Sequence, residues 1–137
     1  MLNNLLDKIY AHNIQIVLTK NKRIKIIYKK DKKIEKLKQE IKENRRNIAK
    51  RLAENQKAID KGFHLYEHGD LYEYRYGYLS YLYIERNGDK LVLVYRLNYH
   101  KGSSKPYRTV IIGEYCSFEE GFNEAVGFLN WLEDVRK

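Results

Sequence analysis

At Gly62 this sequence changes its hydrophobic period, and the change limits what the chain can become. Before it, "KKIEKLKQEIKENRRNIAKRLAENQKAIDKG" carries Ile34, Leu37, Ile41, Ile48, Leu52 and Ile59 at intervals of three, four and seven, which is helical spacing. After it, "LYEYRYGYLSYLYIERNGDKLVLVYRLNYH" reads as two β-rich runs around a hairpin turn at Asn87-Gly88-Asp89. A chain of 137 residues holding both is an α+β fold, one compact domain or a small domain with an appendage.

The helical stretch is itself interrupted. Asn44 and Asn55 fall where its apolar stripe should continue, so two helices broken near "ENRRN" are expected, and no coiled coil. Asp31 is the expected N-cap and Gly62 closes the segment. Ahead of it, Leu2, Leu5, Leu6 and Ile9 predict a short amphipathic helix. Ile14, Ile16 and Leu18, then Ile24 and Ile26, alternate on either side of Asn21-Lys22 and predict a β-hairpin. A third β-run, "KPYRTVIIGEYC", follows the loop "HKGSS". The last segment is a helix, opened by a Ser117/Glu120 capping box and closed by Arg136 and Lys137, which suit its dipole. Its Phe118, Phe122, Ala125, Val126, Leu129 and Leu132 form one face that should cover a sheet. The expected architecture is a helix–β-hairpin–helix–helix unit over residues 1–61. A three-stranded antiparallel sheet packed by a C-terminal helix is expected over 62–137.

Charge divides at the same point. Residues 1–61 hold 18 Lys and Arg against 7 Asp and Glu, a net of +11. Residues 62–137 hold 9 against 11, a net of −2, and the two sum to the chain's +9. A one-sided excess of this kind points to a polyanionic partner, or else to a solvated lysine-rich face. The cations at issue are Lys29, Lys30, Lys32, Lys33, Lys36, Lys38, Lys42, Arg45, Arg46, Lys50 and Arg51. With the isoleucines turned inward, the opposite helix face meets solvent, where phosphates can be reached.

Tyrosine is the second signal, since eleven of 13 lie beyond residue 62. Tyr72, Tyr74, Tyr76 and Tyr78 share one parity, so a straight strand would show them on one face; Tyr81 and Tyr83 sit on the other. Tyr74, Tyr76 and Tyr78 are therefore candidates for stacking on bases, against the plainer reading that tyrosine simply favours sheet faces.

Catalytic signals are weak. "HLYEH", His64 to His68, fits the H-x-x-E-H pattern of inverted zinc peptidases, but one helical turn between Gly62 and Gly69 is a poor platform. No distant glutamate motif follows it, so neither metal nor cofactor is expected. Cys116 is alone, which excludes an internal disulfide and fits a reducing compartment. There is no phosphate loop, paired carboxylates or nucleophile elbow, and an enzyme is not expected. No stretch approaches the ~20 apolar residues of a membrane span, and the N-terminus lacks the apolar core of a signal peptide. The expected location is the cytoplasm. The excess of Lys, Ile, Asn and Tyr with one proline fits an AT-rich genome such as a phage or plasmid.

Two resemblances bear on partners. "LLDKIYAHNIQIVL", "RIKIIYKK" and "IEKLKQEIKENRRNIAKRL" follow the element order of TubC-type N-terminal docking domains, over residues 2–52. That resemblance implies capture of an acidic peptide on the hairpin around Ile24, Ile26 and Tyr28, next to Lys33 and Lys36. No synthase domain follows in this chain. "GEYCSFEE", after the third β-run, is similar to arm-type DNA-binding domains of phage integrases, although Gly121 stands where those tend to hold alanine. The expected function is a non-catalytic, nucleic-acid-binding accessory protein. The alternative is a docking adaptor or anti-defence inhibitor that binds an acidic peptide or protein surface; a homodimer is left open.

Overall fold

The computed structural model describes residues 2–28 and 34–137. Among these residues four α-helices and seven strands follow one another: α1 (Leu2–Ala11), β1 (Gln15–Leu18), β2 (Ile24–Ile27), α2 (Glu35–Glu43), α3 (Arg45–Lys61), β3 (His64–Tyr66), β4 (Leu71–Gly77), β5 (Ser80–Asn87), β6 (Leu91–Asn98), β7 (Arg108–Cys116) and α4 (Phe118–Val135). The fold is α+β. The helical segment breaks at Asn44, whose side chain turns back to donate to the Glu40 carbonyl at 2.8 Å. The expected N-cap, Asp31, lies outside the described residues.

The N-terminal elements close on an aliphatic core. Leu2, Leu5, Leu6 and Ile9 of α1 meet Ile14, Ile16, Ile34, Leu37, Ile41 and Ile48, with Ile24, Ile26, Tyr28 and Leu52 packed at the edge. β1 and β2 form their own two-stranded antiparallel sheet, and Lys22 turns it with a positive φ of 60°.

The main sheet has five antiparallel strands in the order β3-β4-β5-β6-β7, which corrects the expected three. Two strands were hidden in the sequence. "LYEYRYGYLSYLYIER" is a hairpin whose two-residue loop, Tyr78-Leu79, lacks the Gly or Asn that marks such turns; Leu79 itself adopts φ +51°. β3 is only three residues long, too short to show a period.

α4 covers one face of this sheet. Its cap is the expected one, with Ser117 Oγ accepting the Glu120 amide at 3.2 Å. Phe118, Phe122, Ala125 and Leu129 pack on Tyr72, Leu82, Ile84, Val92 and Val94, joined by Phe63 and by Ala58 of α3. Gly121 lets helix and sheet approach, because a Cβ there would sit 2.5 Å from Val92 Cγ2. α3 thus contributes Ile48 to the aliphatic core and Ala58 to the aromatic one, and packing changes hands within the helix. Ile59, expected in its stripe, is half exposed.

Between the two cores lies a buried polar joint. Arg86 donates from Nε to the Gly69 carbonyl at 2.7 Å, and from Nη2 to Glu54 at 2.9 Å and the Tyr72 hydroxyl at 2.7 Å. Tyr72 passes its proton toward Asn55 Oδ1 at 2.5 Å, and Asn55 donates to the His68 carbonyl at 3.2 Å. Arg51 donates to Asn3 of α1 at 2.6 Å and to the same His68 carbonyl at 3.3 Å. Gly69 is required here, since its φ is +92° and a Cβ would land 2.0 Å from Asn55 Oδ1. His68 closes the outside of the joint with a 2.8 Å contact to Asp7.

Candidate functional site

Lys36, Lys42, Arg45, Arg46 and Lys50 are exposed on α2 and α3, as the helical spacing requires. Lys38 is half-buried, with its ammonium over the Tyr28 ring at 4.7 Å from the centroid. Its pKa is raised, chiefly by the bond to Tyr28. Lys29, Lys30, Lys32 and Lys33 lie outside the described residues. Arg51 does not belong with the others. It is 2% exposed inside the joint, where burial first and the Arg86 charge second lower its pKa. A guanidinium enclosed there cannot reach a phosphate.

Two of these exposed cations, Arg45 and Arg46, meet two others at a place that the sequence did not single out. The hairpin turn brings Lys22 and Arg23 against the start of α3, and with Arg45, Arg46, Ile24 and Ala49 they line a cleft of about 500 Å³. Among the described residues none of these four cations is in an ion pair. Arg45 and Arg46 sit where the C-terminus of α2 meets the start of α3. The first turn of α3 holds two arginines and no acid, and Asn44 makes no side-chain cap bond to the helix. Cations near a helix N-terminus oppose the dipole by a few tenths to about 1 kcal/mol each. The cluster of Lys20, Lys22, Arg23 and Lys25 around the turn was the available sequence signal.

The tyrosines divide between the two faces of the sheet by parity, except for Tyr78 in the hairpin loop. Tyr74 packs edge-on against Phe63 at 5.3 Å and Tyr76 against Phe128 at 5.1 Å, both under α4. Tyr78 sits in the hairpin loop and is 70% exposed. The three expected stacking residues therefore form no open platform, and this is a correction. The open face of the sheet belongs to the other parity. One cross-strand ladder runs His64, Glu73, Tyr83, Tyr95 and Ile111 through all five strands. Beside it stand Arg75, Tyr81, Leu97 and Thr109 on one side, and Tyr66, Leu71, Glu85 and Leu93 on the other. Burial, then the Glu73 bond, raise the Tyr83 pKa; burial, then Glu85, push Tyr95 up to about 12. The phenols stay neutral, and the open face carries carboxylates with few cations.

The residues of "HLYEH" are split between elements. His64 stands on β3 opposite Glu73, and His68 lies in a tight turn, Glu67–Gly69, facing Asp7. Among the described residues no group of three or more His, Cys, Asp or Glu side chains could hold a metal ion. Cys116 packs on the aromatic core, and burial raises its pKa. No described helix is long and apolar enough to cross a membrane. Comparison with protein-family models, curated proteins and solved structures gives no match for this chain.

Proposed function

We propose that the protein binds nucleic acid through the cationic cleft between the β1–β2 turn and the start of α3. The observation that carries this reading is the convergence of Lys22, Arg23, Arg45 and Arg46 on one cleft with no acidic side chain lining it among the described residues. Lys42 and Lys50 are exposed on the same two helices and add to their positive charge. Such a surface meets the phosphate backbone and reads no base edges, so binding is sequence-tolerant and strongly salt-dependent. The role is that of an accessory protein, without chemistry of its own.

The test is the salt dependence of oligonucleotide affinity. For a duplex, each neutralised phosphate contributes a slope of about −0.9 in log affinity against log salt. Arg45→Gln with Arg46→Gln should flatten the slope by about 1.8. Unchanged slope and affinity in that double variant would refute the reading.

A second reading rests on the hairpin. β1 and β2 pair only with each other among the described residues, and Val17 and Ile27 are exposed beside their free edges. An acidic peptide could add a strand there with the same cations beside it, which is the mode the docking-domain resemblance implies. Ile24, Ile26 and Tyr28 would act indirectly, because their partly buried side chains hold the hairpin on the helices. Competition decides between the two. The nucleic-acid reading expects an oligoglutamate of equal charge to displace an oligonucleotide only at tenfold or greater excess, and easier displacement favours docking.

A further inference from the structure

The open sheet face ends in a cleft of about 450 Å³, far from basic in character. Glu73, Leu79, Tyr81, Tyr83 and Tyr99 line its floor, and the loop around His100 to Ser104 forms its rim. Tyr81 and Tyr83 lie nearly parallel, 6.2 Å apart with 25° between planes. Tyr99 stands at 75° to Tyr81 at 6.0 Å, so ring faces look in two directions. Among the described residues that line the cleft, the one full charge is the Glu73 carboxylate. Its two oxygens accept from different phenols, Tyr66 at 3.1 Å and Tyr83 at 2.9 Å. Those bonds fix its orientation and leave a lone pair on each oxygen. Among the described residues Glu73 has no ion-pair partner.

A held carboxylate among aromatic faces is suited to one ligand class. Ring faces attract cations through their quadrupole, and the attraction grows when the site excludes water. The carboxylate adds a charge-assisted hydrogen bond for an N–H donor. Phosphate is disfavoured by the same carboxylate, which separates this cleft from the cationic one. We propose that the cleft binds an organic cation, an alkylammonium or guanidinium group of lysine or arginine size. The raised Tyr83 pKa supports the site, because neutral phenols leave Glu73 as the charge a cation meets.

The source of that cation is either a side chain of a basic protein or a free polyamine, and the experiment separates them. Full-length protein with labelled tyrosines is titrated with N-acetylarginine amide, N-acetyllysine amide and the neutral isostere N-acetylcitrulline amide, followed by NMR. Saturable shifts of Tyr81, Tyr83 and Tyr99 are expected with both cations, at least tenfold weaker with the citrulline compound. Glu73→Gln keeps an acceptor oxygen for one phenol and presents an NH2 donor to the hydroxyl oxygen of the other, and should weaken the cations at least tenfold; Arg45→Gln should change nothing here. An arginine-containing peptide binding tenfold tighter than the capped residue assigns the site to a protein partner. Spermidine binding tenfold tighter assigns it to a free polyamine. Equal binding of citrulline and arginine compounds overturns the proposal, as does no saturable shift with any cation. Failure here leaves the salt-dependent oligonucleotide binding untouched, because the two clefts share no residue.

Discussion

The two ends of α3 are packed into cores of different chemistry. The N-terminal core is made of Leu and Ile alone, whereas the sheet core is anchored by Phe63, Tyr72, Phe118 and Phe122. Their outer surfaces differ in the same sense, one bearing Lys and Arg with no ion pairs among the described residues, the other tyrosine and glutamate. The difference shows how one chain can present two opposite recognition surfaces. Aliphatic packing under short helices frees every outward position for charge. An antiparallel sheet covered on one side leaves alternate residues on the open face, where tyrosine can be half-buried and still offer a hydroxyl. Between the cores, burial of two arginines against one carboxylate joins the regions through directional bonds and leaves little slack.

The joint is therefore the place to break the comparison. Arg86→Ala removes the donor to Gly69, Glu54 and Tyr72 together. It should cost about 3–5 kcal/mol, the range for orphaning a buried charge. Urea unfolding followed by helical circular dichroism and by the single tryptophan, Trp131 on α4, should show both signals shifting together. A shift confined to Trp131 would mean that the N-terminal core stands independently.

Within the sheet core, Phe122→Ala should cost about 3–5 kcal/mol, since the ring lies between Phe63 and Phe118. Gly121→Ala should cost about 1–3 kcal/mol through overpacking against Val92. Both are read from urea midpoints. A neutral Gly121→Ala would show that α4 can lift from the sheet without penalty.

The smallest effect is one of pH, and it belongs to the sheet alone. The folded state holds the Tyr83 and Tyr95 protons above the ordinary tyrosine range, Tyr95 to about 12. The unfolded chain releases them near 10, so it binds fewer protons between these values. Stability is fully present below pH 10 and should fall as pH rises toward 12. Tyr95→Phe should reduce that loss, which denaturant midpoints at pH 9 and 11.5 would register. No change in the variant would remove Tyr95 from the account.

Much of this could be read from residue order. The first helix, the hairpin, the break at Asn44 and the capped α4 all carry local signals that act within a few residues. The five-stranded sheet was obscured because Tyr78-Leu79 turns without a turn residue, and because β3 is too short to show a period. Arg51 was placed with the solvent-facing cations although Ile48, Arg51, Asn55 and Ala58 share one buried face of α3. Polar residues in an apolar stripe looked like interruptions, and their partners, Tyr72, Asn3 and the His68 carbonyl, are remote in sequence or visible only in the fold. The open tyrosine face keeps the parity of Tyr81 and Tyr83 on both strands of the hairpin; which of the two faces α4 covers had no local signal.

The claim that the two regions recognise opposite charges is tested most directly by one titration. Isotope-labelled protein is followed by NMR as a short duplex is added at low salt. Amide shifts should cluster at Lys20 to Lys25 and Lys42 to Lys50, with Tyr81, Tyr83, Tyr95 and Tyr99 unmoved. Shifts centred on the open sheet face, with the α3 start silent, would contradict the account.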